Sequence, residues 1–129
     1  MVVDSSAVLA VLLGEEDGPL YAGLIEDALD PVISAVSVLE TALVIGARKR
    51  KPGLEILERL LQQGSIRVMP FDSDQVLLAQ EAWWQYGKGR HPAGLNLGDC
   101  CSYALAKATQ RPLLYKGGDF RQTDIERVC

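Results

Sequence analysis

Asp4, Glu40, Asp99 and Asp119 each follow a point where an apolar, strand-like run gives way to a helix or a loop. In an open parallel α/β sheet the C-terminal ends of the strands face one crevice, so acids this far apart in sequence converge on one pocket. Carboxylates alone supply hard oxygen ligands, the set that selects Mg²⁺ or Mn²⁺. The chain has no cluster of His or paired cysteines that would suit zinc. One or two cations held by three or four carboxylates activate a water and neutralise phosphate oxygens, which is the chemistry of phosphodiester hydrolysis. A single carboxylate pair would have pointed to glycoside chemistry instead.

Each acid also has an ordinary explanation. Glu40 stands among Val36, Val38, Leu39, Ala42, Leu43, Val44 and Ile45. A helix apolar all round is expected to be buried, where a carboxylate needs a cationic partner or a ligand. Asp4 precedes Ser5 and Ser6 and suits a helix N-cap. Asp99 suits the first turn of a helix, where the macrodipole favours an acid by about 0.3–1 kcal/mol. Asp119 follows Gly117 and Gly118, the composition of a plain turn. Asp124 is a fifth acid near the same rim, with a turn or cap as its expected role. Convergence of the first four, not any one of them, carries the chemistry.

A phosphate-bearing substrate needs cations beside the acids. The candidates are the run Arg48 to Lys51, Lys88, Arg90 and His91 in one loop, and Lys107, Arg111 and Lys116, each of which also reads as an ordinary surface charge. Trp83 and Trp84 are expected at an interface more than against bases. His91 is the only histidine, and without a positioned partner it reads as a loop or substrate contact, not a base. Cys100 and Cys101 read as small apolar residues on a helix packed against the sheet.

The elements that must position these groups alternate along the chain. Met1 to Val3 is a strand, Ala7 to Leu13 a helix stopped by Gly14, and Tyr21 to Leu29 a second, amphipathic helix closed by Pro31. A strand at 31–34 precedes a long helix, capped by Ser34 or Ser37 and broken at Pro52-Gly53, after which Leu54 to Leu61 forms another. Strand three is read at Ile66 to Pro70, then a helix capped by Asp72 or Ser73, a loop from Gly87 to Gly94, and a helix opening at Asn96-Leu97-Gly98-Asp99. Leu113 to Tyr115 makes strand four, and Val128 ends a short edge strand. This pattern predicts an α/β fold with a mainly parallel sheet of four to five short strands covered on both faces.

At 129 residues the chain is expected to be one domain spanning 1–129. Its net charge of −4 argues against coating nucleic acid by bulk charge. Met1 runs into Val2, Val3 and Asp4 without a signal-like segment, no apolar run is long enough to span a membrane, and the cysteine spacing suits free thiols. A cytoplasmic protein is expected.

Val-Asp-Ser-Ser-Ala at 3–7, Ser-Val-Leu-Glu-Thr at 37–41, Asn-Leu-Gly-Asp-Cys at 96–100 and Lys-Gly-Gly-Asp-Phe at 116–120, followed by Thr123-Asp124-Ile125, resemble the PIN-domain ribonucleases, specifically the VapC-type toxins of bacterial toxin–antitoxin pairs. The resemblance covers essentially the whole chain. It implies a PIN-like three-layer α/β/α sandwich. It also implies that Asp4, Glu40 and Asp99 bind Mg²⁺ or Mn²⁺, with Asp119 as a less constant fourth acid. The implied activity is metal-dependent endoribonucleolytic cleavage of a structured cellular RNA, often transfer or ribosomal RNA. The implied partners are a VapB-like antitoxin whose C-terminal arm fills the groove and a second copy in a homodimer. Gly118 stands where Asp or Asn often precedes the fourth acid.

Rival classes fit less well. A haloacid-dehalogenase phosphatase needs a second Asp where Ser6 stands, a receiver domain needs a phospho-accepting Asp where Met69-Pro70 ends strand three, and a nucleotide-binding module needs a glycine-rich loop after the first strand. The remaining alternative is a non-enzymatic module whose acidic cleft binds a basic peptide.

Overall fold

The computed structural model describes residues 1–129. Its elements are β1 (Val2–Val3), α1 (Ser5–Leu12), α2 (Gly18–Asp27), β2 (Val32–Ser34), α3 (Ala35–Gln63), β3 (Arg67–Met69), α4 (Ser73–Tyr86), α5 (Leu97–Thr109) and β4 (Leu113–Leu114). The four strands form one parallel sheet in the order β3-β2-β1-β4, with Val2 in register with both Val32 and Leu113.

The strands are short, yet their pleat organises the molecule. Val2, Val32 and Leu113 point into a core shared with Ala82 and Tyr86 of α4 and Tyr103 and Leu105 of α5. Their neighbours Val3, Ile33 and Leu114 point the other way, into a core with Val8 of α1, Ile25 of α2, and Ile45 and Leu57 of α3. Alternate residues of one strand thus serve opposite layers, and because both faces are covered every one of the six is apolar and buried. Each contributes about 1.5–3 kcal/mol by leaving water. This is the three-layer α/β/α sandwich.

Helix starts follow the expected capping chemistry. Ser34 caps α3 by accepting from Val36 N at 3.2 Å, and Asp72 caps α4 by accepting from Gln75 N at 2.9 Å. Ser37, the alternative cap for α3, instead lies buried inside the first turn. The break expected at Pro52-Gly53 falls slightly earlier. Arg50 takes φ 55° and ψ −145°, and Pro52 sits in the first turn of the second half, where its missing N–H removes no bond. The edge strand expected at Val128 is a single bridge between Leu113 and Arg127, with Val128 N donating to Leu113 O at 3.1 Å. No helix is long and apolar enough to cross a membrane.

Candidate active site

The acids arrive from four places. Asp4 is the first residue after β1. Its N–H donates to Leu114 O at 2.9 Å, tying it to the end of β4, and its side chain, 3% exposed, caps α1. Glu40 lies half-buried in the second turn of α3, and Asp99 is the third residue of α5. Asp119 is exposed in the turn that follows β4. The N-terminus of α1 meets α3 where Ser5 Oγ donates to Glu40 Oε1 at 2.6 Å. The N-terminus of α5 meets α3 where Gly98 packs against the Glu40 carboxylate.

The ordinary roles read from sequence are real for two of these acids. Asp4 accepts from Ser6 N at 3.0 Å, and Asp99 closes a capping box, accepting from Asn96 N at 3.0 Å while its own N–H donates to Asn96 Oδ1 at 2.9 Å. Capping fixes where each carboxylate points without consuming all its lone pairs. For Glu40 the expected burial does not hold. Leu39 and Leu43 on the same helix are 59% and 66% exposed, so this end of α3 has an open face. Glu40 has no cationic partner; a serine holds it.

Serines also hold Asp4. Ser6 Oγ donates to Oδ2 at 2.6 Å and itself accepts from Lys116 N at 3.0 Å. Ser102 Oγ donates to Oδ1 at 2.5 Å and lies 3.1 Å from Ser37 Oγ, both hydroxyls being fully buried. Sequence reading missed Ser102 and gave Ser37 only as an alternative helix cap. The available signal was spacing, since Ser102 is one turn beyond Asp99 and shares its face of α5. Hydrogen bonds to charged groups contribute about 1.5–3 kcal/mol. Ser102→Ala is therefore expected to lower stability by about that amount, read as a shift in thermal midpoint. An unchanged midpoint would show that the hydroxyl does not hold Asp4.

The field within the cluster is legible at Asp99. Burial pushes its carboxyl up to about 7, the hydrogen bond from the Asn96 backbone opposes this, and the charges of Asp4, Asp119 and Glu40 push it up further. The like-charge repulsion expected among clustered acids is present, though burial is the larger cause. The charges of the other three acids thus reach Asp99. The four are not gathered into a ready-made chelate, since no three His, Cys, Asp or Glu side chains close up as metal ligands. The donor set nevertheless suits a hard dication. It consists of carboxylates only, and Glu40 Oε2 and Asp99 Oδ1 accept no hydrogen bond.

Several supporting candidates are committed elsewhere. Lys107 and Tyr103 both bond Asp124, at 2.5 and 2.8 Å, so Asp124 fastens the C-terminal segment to α5. Arg111 pairs with Asp30, and Lys116 with Glu15 and Asp17, which removes three cations from the set expected to face a phosphate. Lys88 and Arg90 stay exposed, with Arg90 stacked 3.9 Å from the Trp84 ring centre. The two tryptophans separate: Trp83 packs on the core, while Trp84 is exposed beside an apolar groove also lined by Val76, Leu97 and Cys100. His91 accepts from Ala93 N and packs edge-on against Tyr86, a loop contact. Cys100 packs in the core against the sheet and Cys101 is buried beside it, with burial raising both thiols to about 11.

Comparison with known proteins places this arrangement. A family model described as PIN domain matches residues 1–126. A ribonuclease VapC of Mycolicibacterium smegmatis is 48% identical over 130 residues, covering 99% of each chain, and ribonuclease VapC30 of Mycobacterium tuberculosis is 45% identical over 100% of this chain and 98% of its own. Among solved structures, Mycobacterium tuberculosis VapC20, described as a sarcin-ricin loop cleaving toxin, superposes with a TM-score of 0.78 at 18% identity, over 98% of this chain and 97% of that one. A toxin–antitoxin complex from Klebsiella pneumoniae superposes with a TM-score of 0.70 at 13% identity, over 95% and 92%. The chain belongs to the PIN-domain family, among its VapC ribonucleases.

Proposed function

We propose that this VapC-type ribonuclease cuts RNA endonucleolytically with a divalent cation, Mg²⁺ or Mn²⁺, held by Asp4, Glu40 and Asp99 with Asp119 at the rim. The observation that carries this reading is the convergence of acids from β1, α3, α5 and the turn after β4, where the charges of the other three reach Asp99. When bound, such a cation activates the attacking water and neutralises the phosphate oxygens. The protein supplies orientation. Ser5, Ser6 and Ser102 fix two carboxylates, the Asn96 cap fixes the third, and Asp119 is exposed at the rim. In this reading residues 1–129 form a single PIN domain acting in the cytoplasm as the toxin of a pair. A VapB-like antitoxin restrains it, transfer or ribosomal RNA is its substrate, and it works as a homodimer.

The test is to map RNA ends in cells after controlled induction of wild type and of Asp4→Asn. Hydrolysis by an activated water leaves a 5′-phosphate and a 3′-hydroxyl, so new ends of that kind are expected with wild type and none with Asp4→Asn. Purified protein is expected to stop cutting in EDTA and to tolerate His91→Ala. Cyclic-phosphate ends that persist in EDTA and vanish in His91→Ala would overturn both the mechanism and the residue assignments. A protein that cuts nothing and binds a basic peptide in its cleft would favour the non-enzymatic alternative.

A further inference from the structure

Gly98 is the second residue of α5 and is buried, yet its backbone is ordinary helix, with no φ in the left-handed region that calls for glycine. Such a position normally favours alanine, because glycine in a helix gives up more chain entropy on folding. What stands against a side chain here is one group. A Cβ built on Gly98 would lie 2.7 Å from Glu40 Oε1 and 2.8 Å from Glu40 Cδ, and still nearer Oε2, well inside contact distance. The bare Cα is thus the seat of the Glu40 carboxylate.

The seat also has an electrostatic reason. The N–H groups of Leu97 and Gly98 belong to the first turn, which has no intrahelical acceptors, and the positive end of the helix dipole favours a carboxylate laid against it. From the other side Ser5 Oγ holds Oε1. Glu40 is therefore pinched between the N-termini of α1 and α5. Because the clash is with the far end of a flexible side chain, a methyl group at 98 displaces the carboxylate while leaving the helix able to form.

We propose that Gly98 is a positioning residue for the acidic site: by carrying no side chain it lets Glu40 lie on the first turn of α5 beside Asp99, and any larger residue evicts Glu40 from that place. This rests on the reading of Glu40 as a cation ligand, so the experiment separates the two. On the full chain in EDTA, melting is measured for wild type, Gly98→Ala, Glu40→Ala and the double variant. In the Glu40→Ala background the added methyl meets no carboxylate and raises the midpoint by roughly 2–4 °C, as Gly→Ala does in an unstrained helix. With Glu40 present that gain is abolished or reversed.

Calorimetric titration with Mn²⁺ alone gives the second readout. Gly98→Ala is expected to bind roughly 10–100-fold more weakly than wild type, the usual loss when a ligand's support is disturbed. Adding Glu40→Asp, which draws the carboxylate back by one methylene, is expected to restore part of that loss, although Glu40→Asp alone weakens binding. Additive melting shifts, or Mn²⁺ affinity in Gly98→Ala within twofold of wild type, would overturn the proposal. A wild type that binds no Mn²⁺ would overturn the metal reading and the role of Gly98 in it, while the melting cycle still decides whether Gly98 seats Glu40. If Gly98→Ala fails to fold, recovery in the Glu40→Ala background supports the seat, and failure to recover refutes it.

Discussion

Asp99→Asn is expected to abolish RNA cleavage and growth arrest while leaving the protein in EDTA at least as stable as wild type. The amide keeps the shape of the carboxylate and can still accept from Asn96 N, so the capping box that starts α5 survives. What it removes is a charge that burial disfavours and that Asp4, Asp119 and Glu40 repel. Loss of one such group from an active site lowers the rate on the order of 10²-fold or more. In a structural role the opposite pattern is required: cleavage retained, or a marked fall in melting temperature. Either outcome would remove Asp99 from the chemistry.

Asp99 titrates near 7 in the folded chain against about 3.9 when unfolded. The fold therefore favours the neutral acid, and its contribution to stability is full below about pH 4 and lost as pH rises through 7. Carboxylates that stabilise in the other direction act lower on the scale. Asp30, held to about 2 by Arg67 and Arg111, contributes above pH 4 and loses its effect only as pH falls towards 2. Between about pH 5 and 7 the fall due to Asp99 is set against a rise from the Met1 amino group, whose pKa burial holds below its usual value, so comparison with Asp99→Asn isolates the share of the cluster. In EDTA the melting temperature should fall across that window relative to that of Asp99→Asn and recover on adding Mn²⁺. A midpoint that falls no more than that of Asp99→Asn there, or that Mn²⁺ leaves unmoved, would contradict the clustered site.

The alternation of apolar runs with capped helices made the sandwich legible, because each strand is buried on both faces and each helix start carries its own cap. Asp4 and Asp119 follow β1 and β4 and Glu40 lies in the helix after β2, as parallel topology leads one to expect, whereas Asp99 opens α5, which follows α4 and no strand. The rest depended on tertiary partners that no local pattern records. Ser102 and Ser37 look like ordinary helix residues until α5 is laid over β1. Glu40 looked buried because an apolar run does not record which of its residues find a partner, and Leu39 and Leu43 lie in the open. Lys107, Arg111 and Lys116 looked available because the acids that occupy them are 17, 81 and about 100 residues away.

The place of β1 in the sheet has a consequence for how the enzyme is made. β1 lies between β2 and β4, and Val2 and Val3 pair with Leu113 and Leu114, far along the chain. Asp4 is anchored on Leu114, and Ser6 on Lys116. Contacts so distant in sequence close late, after more local structure has formed. A growing chain can therefore carry folded α3 and α4 while still lacking the strand that fixes its first acid. The first acid is thus seated only once Leu114 and Lys116, over a hundred residues away, are in place.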